Sequence, residues 1–197
     1  SPPNDRRTIP PSSLVKVDIG VHVDGYIADT AVTVCFNEEH ENLVRTAEEA
    51  LETAVKILRP GLFASKFGST IEKMIRSRGV KPVSNLTGHQ VGRYLIHTGK
   101  SLPNISHFST SRLKVGEVYG VEPFVTVADA AGRIESGKET TIFRFLKHRS
   151  VKNEHAKRLL DHIAKNFQTL PVTERWLQGV VPQASYQQAF SELLSSK

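Results

Sequence analysis

The sequence holds one cysteine, Cys35. No disulfide can form within the chain, and a reducing compartment is the expectation. No apolar run approaches the roughly 18 residues of a membrane span. The opening residues also lack the basic-then-apolar pattern of a signal peptide, so a cytoplasmic location away from membranes is expected. Low-complexity tracts and solenoid-period repeats are missing too. Charge bias is small, with 26 Lys and Arg against 20 Asp and Glu for a formal charge of +6. The basic residues are scattered along the chain and form no arginine–aromatic stripe. The excess is compatible with an acidic partner such as ribosomal RNA, but the plainer reading is a soluble surface, and nothing points to specific DNA binding.

What remains is an ordinary globular composition, 39% hydrophobic and 23% charged over 197 residues. That is enough for one core of usual size or two small ones. Residues 1–13, "SPPNDRRTIPPSS", are polar and proline-rich and read as a lead-in loop. Residues 14–19 and 26–36 are β-rich, and the Asp24-Gly25 pair between them signals a hairpin. A helix then follows, capped near Asn37, with Leu43, Ala47, Ala50, Leu51, Ala54, Val55 and Leu58 at helical spacing and Pro60-Gly61 as its stop. A second amphipathic helix is expected over residues 64–78, with Phe67, Ile71, Met74 and Ile75 on one face. Residues 80–146 are β-rich and punctuated by glycine, with residues 117–127 and 140–146 as the clearest strands. Beyond Val151 three segments turn helical: "VKNEHAKRLLDHIAKNF", "TERWLQG" and "YQQAFSELLSSK".

Four residues far apart in sequence share one property: each is a metal-ligand type in an apolar or glycine-rich β context. They are Asp18 in "VKVDIG", Asp29 in "GYIADTAVTV", His89 in "NLTGHQVGRY" and Glu122 in "GEVYGVEPFVTV". A hairpin can bring Asp18 and Asp29 together, and two adjacent carboxylates stay ionised only beside a cation. Carboxylates with one imidazole suit Mn, Co, Zn or Fe(II), and a shared carboxylate can bridge two ions about 3.5–4 Å apart. Taken singly, each of the four is more often structural: a turn former, a cap, a satisfied histidine or a surface carboxylate.

The surrounding words decide more. "VDIGVHVDGYIADTAVTV", "TGHQVGRYLIHTGK" and "EVYGVEPF" closely resemble, in order, the active-site segments of type II methionine aminopeptidases, the archaeal-like branch. "TLPVTERWL" resembles the helical insertion of that type. The resemblance implies an α+β pita-bread fold, a curved antiparallel sheet covered by helices. It divides the chain into a partial catalytic domain, residues 1–150, and a helical insertion, residues 151–197. It implies two divalent metal ions, with Asp18 chelating one, Asp29 bridging both, and His89 and Glu122 binding the other. His97 in "LIHTG" resembles the histidine that touches the scissile peptide, in a substrate-binding and catalytic role. Ile96 and Phe124 match positions lining the methionine pocket. The implied function is removal of the initiator methionine from nascent polypeptides, by a hydroxide that two metals activate to attack the first peptide bond. Expected partners are nascent N-termini and the ribosome.

The pattern departs from the family in two places. The bridging glutamate of a "Q-x-E-H-T"-like strand and an N-terminal active-site histidine have no counterpart. The chain reads as the middle of such an enzyme, and impaired activity on its own is the expectation. Glu192 lies on a helical pattern and is not assigned as the missing ligand. Two rival readings stand beside this one. A prolidase-like dipeptidase would carry a second histidine–glutamate word that "IHTGKSLP" does not match. A non-catalytic pita-bread protein that binds RNA, ribosomes or partner proteins would hold no stoichiometric metal.

Overall fold

The computed structural model describes residues 5–195, so the first four residues of the lead-in loop and the last two of the final helical segment lie outside the described residues. The chain divides into two compact units, Thr8–Ser136 and Gly137–Lys197 together with Ser1–Arg7. Within the first unit, β1 (Leu14–Val23) and β2 (Tyr26–Cys35) form the expected hairpin, antiparallel over its whole length. Asp24 and Gly25 both have positive φ, 50° and 84°, the twist that a two-residue hairpin turn requires. The turn is tightened by the Gly25 N–H, which donates to His22 Nδ1 at 3.3 Å.

The first helix opens with a 3₁₀ turn, Glu38–His40, and continues as α1 (Glu41–Ile57). Asn37 caps the turn as expected, its side chain accepting from the Glu39 N–H at 3.1 Å. Its buried stripe differs from the expected one. Thr46, Ala50 and Ala54 are buried, whereas Leu51 is 40% and Val55 59% exposed. Small residues win this face because α1 lies against α2 (Ala64–Ser77), whose Phe67, Ile71 and Ile75 fill the space that larger side chains would take.

The remaining strands of this unit are short and antiparallel. β3 (Lys81–Pro82) pairs with β7 (Val125–Thr126), and β4 (Thr87–Val91) lies between β5 (Ser101–Pro103) and β6 (Val118–Gly120). The strand expected over residues 117–127 is thus two strands with different partners. They are separated by a segment containing Pro123, which has no N–H to give a ladder.

In the second unit, the strand expected over residues 140–146 shrinks to β8 (Phe143–Arg144). Its partner β9 (Pro171–Val172) is only two residues long and begins with proline. The helical expectations hold: α3 (Glu154–Asn166), a 3₁₀ turn (Glu174–Leu177) and α4 (Gln183–Ser195). Asn153 caps α3, accepting from the His155 and Ala156 N–H groups at 2.8 and 3.2 Å. Glu192 accepts from the backbone N–H groups of Lys152 and Asn153 at 2.8 and 3.3 Å, a structural use that agrees with its exclusion from the ligand set. Leu159, Ile163, Val172, Leu177 and Phe190 form this unit's core. Among the described residues, no helix is long and apolar enough to cross a membrane.

Candidate metal centre

In the hairpin register Asp18 faces Ala31 and Asp29 faces Gly20. Alternation puts both aspartates on one face, diagonally across the ladder. That face also carries Lys16, while the opposite face is a continuous run of Val15, Val17, Ile19, Val21 and Val23. From Lys16 to Val23, β1 therefore alternates polar or glycine positions with apolar ones.

His89 reaches the same point from the middle of a three-stranded ladder, with Ser101 as its partner on one side and Gly120 on the other. The side chain is buried, and its Nε2 lies 3.4 Å from Asp29 Oδ2 and 3.2 Å from Glu122 Oε1. Gly120 lies against the group: a Cβ there would meet the His89 ring at 3.4 Å and the Glu122 carboxylate at 3.6 Å, ordinary van der Waals contact. Glu122 is held from behind. The buried Asn104 side-chain amide donates to the Glu122 carbonyl at 3.2 Å and to the Leu86 carbonyl at 2.9 Å. Sequence reading passed over Asn104. Its signal was a polar residue inside the apolar word "SLPNI".

One ligand atom from each of Asp29, His89 and Glu122 lies within 4.8 Å of the others. Three of the four expected metal residues are thus brought together. Asp18 is not in that group: its carboxylate is half exposed and lies 3.1 Å from Lys16 Nζ. His97 packs edge-on against His89, ring centroids 4.2 Å apart. Phe124 lines a cleft of about 490 Å³ beside the group, together with Lys16, Asp29, Glu122 and the α1 residues Leu43 and Leu51. This accounts for the exposure of Leu51, which borders that cleft. Ile96 is half-buried and is not among the lining residues.

Electrostatically the group asks for a cation. Burial pushes the Glu122 carboxyl above its usual range; His89 opposes that rise and the neighbouring Asp29 charge reinforces it. One imidazole N–H cannot serve two carboxylates at once. His89 Nδ1 is buried with no hydrogen-bond partner, so the ring's polar contacts are all at Nε2. Two carboxylate oxygens and one imidazole nitrogen are a donor set that fits a borderline divalent ion.

Residues 1–155 match the model of metallopeptidase family M24. The chain belongs to this family. A methionine aminopeptidase of Methanothermobacter thermautotrophicus is 42% identical over 181 residues, which is 90% of this chain and 60% of that protein. Among solved structures, a methionine aminopeptidase from Thermotoga maritima superposes with TM-score 0.58 at 29% identity, covering 65% of this chain and 52% of that one. A thermophilic Arx1 reaches TM-score 0.74 over 93% of this chain and 56% of its own at 16% identity, a likeness of fold alone. The M24 chain is α+β with the pita-bread fold of these neighbours, as the motifs implied. It spans about 60% of the length of the curated relative above. Its family and its Asp29–His89–Glu122 group both support the use of a divalent metal.

Proposed function

We propose that this M24 protein is a cytoplasmic methionyl aminopeptidase that removes the N-terminal methionine of nascent polypeptides as they leave the ribosome. One observation carries the proposal: the ligand atoms of Asp29, His89 and Glu122 lie within 4.8 Å of one another on three separate strands or loops. These residues would hold divalent ions drawn from Mn, Co, Zn and Fe(II), with Asp18 as a further ligand and Asp29 shared between two ions. A divalent ion bound there supplies Lewis acidity, polarising a peptide carbonyl and lowering the pKa of water.

The chain's own residues do the rest. His97, edge-on to His89, would donate a hydrogen bond to the scissile amide and stabilise charge developing on it. Phe124 and the apolar α1 wall of the cleft, Leu43 and Leu51, would take up the methionine side chain. Burial at this wall favours an unbranched apolar side chain by about 1–3 kcal/mol over one lacking its methylenes.

The test is a titration of Co²⁺ into the metal-stripped chain, read by its visible absorption, alongside release of methionine from Met-Ala-Ser. Stoichiometric binding is expected, lost in His89→Ala and weakened in Asp29→Asn, with any cleavage abolished by chelator. Cobalt binding that is absent, or unchanged in His89→Ala, overturns the assignment and favours a non-catalytic binding protein.

A further inference from the structure

The formal charge of the chain looks scattered along the sequence but is segregated between its two units. Between Thr8 and Ser136 there are fourteen Lys and Arg and fourteen Asp and Glu. Between Gly137 and Lys197 there are ten basic residues and five acidic ones, and Ser1–Arg7 adds two and one. The entire +6 belongs to the second unit.

Ion pairs occur in both units: in the second, Arg7 pairs with Asp5. In the first unit Lys16, Arg45, Lys56, Arg76, Arg78 and Lys100 each sit against a carboxylate. In the second, Arg144, Lys147, Arg149, Lys152, Lys157 and Arg158 fall within fifteen consecutive residues. Among the described residues none of these six forms an ion pair, and all but the half-buried Arg149 are exposed. Lys152, Lys157 and Arg158 also crowd the positive end of the α3 macrodipole, where cations are disfavoured. Glu154 in the first turn and the Glu192 carboxylate at the Lys152 and Asn153 N–H groups are the acidic groups at this end, outnumbered by the three cations.

The other end of α3 carries flat aromatic surface. Arg158, His162 and Lys165 lie on one stripe of the helix, at i, i+4 and i+7. The His162 ring packs on Phe167 at 6.1 Å, and Phe167 stacks nearly parallel on Trp176, 5.8 Å away with 5° between planes. Trp176 is 56% exposed. Unpaired cations leading to an exposed stacked aromatic pair match the two needs of single-stranded nucleic acid, phosphate neutralisation and base stacking. An acidic peptide would use only the cations. Thirteen residues of α3 span about 20 Å, room for a run of three or four nucleotides.

We propose that the second unit is a docking surface for single-stranded RNA, with the segment from Arg144 to Arg158 neutralising phosphates and Trp176 stacking a base. Trp176 is the chain's only tryptophan, so its fluorescence reports the contact directly. The whole chain is titrated with an unstructured 15-nucleotide RNA, read by Trp176 fluorescence and by anisotropy of the labelled RNA. Expected are quenching on binding and a slope of log Kobs against log salt of about −2 to −3, corresponding to three or four phosphates. Lys147→Glu/Arg149→Glu should weaken binding at least tenfold. Lys66→Glu/Lys73→Glu, the same charge change on exposed lysines of the neutral unit, should leave it within twofold. Trp176→Leu should weaken binding several-fold without altering the salt slope. Equal losses in the two charge variants would reduce the effect to bulk charge and overturn the proposal. So would poly-glutamate that competes as well as RNA, or quenching by phosphatidylserine vesicles but not by RNA. The metal centre is untouched by these variants, so cobalt binding tests that reading separately.

Discussion

Tyr94 lies directly over Gly25. Its backbone N–H donates to the Gly25 carbonyl at 2.8 Å, and a Cβ built on Gly25 would come within 2.3 Å of its ring. The neighbouring Arg93 Nε donates to the Asp24 carbonyl at 2.8 Å. The loop that follows His89 is therefore fastened to the tip of the hairpin that carries Asp29. Gly25→Ala meets two penalties, a positive φ and the Tyr94 ring. It should destabilise the protein by about 1–3 kcal/mol and weaken cobalt binding. In the double variant with Tyr94→Ala the steric part should vanish, leaving only the backbone cost. Urea denaturation of the four proteins of that cycle measures the difference, and strict additivity would show that the ring contact carries no energy.

Asn104 supports the opposite side of the group. Replacing it with leucine leaves the carbonyls of Leu86 and Glu122 without a donor inside the protein, a loss of about 1–3 kcal/mol per unsatisfied group. A larger consequence is expected in metal affinity, because Glu122 loses its backbone anchor. Cobalt titration of Asn104→Leu should show weaker binding, with secondary structure by circular dichroism unchanged. Wild-type affinity in this variant would mean that β6 alone positions Glu122.

Much of this arrangement is legible in the sequence. The hairpin followed from alternation and one Asp-Gly pair, and three of the four ligand-type residues indeed converge. Where reading failed, tertiary contact had overruled local pattern. Leu51 and Val55 share the helical spacing of the apolar residues of α1, yet the approach of α2 favours Thr46, Ala50 and Ala54, and Leu51 borders the cleft instead. Strand length was overread at residues 117–127, because β propensity says nothing about how far a partner extends. Asn104 acts through its burial, a property of the fold that no spacing rule encodes. The charge segregation needed the boundary near Gly137, which the sequence does not mark.

Glu117, outside the metal group, gives a pH prediction. The Lys100 ammonium bonded to its side chain, with help from the Lys114 N–H and the Tyr119 hydroxyl, holds its carboxyl at about 2, below the ordinary 4.5. A carboxyl depressed in the folded state stabilises fully above its unfolded pKa and loses that contribution as pH falls through the folded one. The stability gap between wild type and Glu117→Gln should therefore be constant above about pH 5.5 and shrink between there and about pH 2. Thermal melts of both proteins across that range measure it. A gap independent of pH would show that the Lys100 contact contributes packing rather than charge.

Asp18 and Lys16 supply the last prediction. Both project from the same face of β1 as Gly20, the residue opposite Asp29, and the Lys16 ammonium lies 3.1 Å from the Asp18 carboxylate. The same ammonium sits over the Phe124 ring at 4.8 Å, so the lysine reaches across the cleft mouth beside the ligand group. A tethered cation here acts in two ways on an incoming metal ion: it repels the ion, and it keeps Asp18 engaged. The pair is half exposed, so its strength is that of an ordinary surface ion pair, about 0.2–1 kcal/mol. Removing the charge with Lys16→Met should therefore tighten cobalt binding by up to about fivefold, most clearly at low ionic strength, where screening is weak. Adding Asp18→Asn to that variant should cancel the gain, because the carboxylate that Lys16 released is gone. If Lys16→Met tightens binding equally with and without Asp18, the lysine acts only through its field and Asp18 does not join the ion. Weaker binding in Lys16→Met would instead make the ammonium a support that orders Asp18 for the metal.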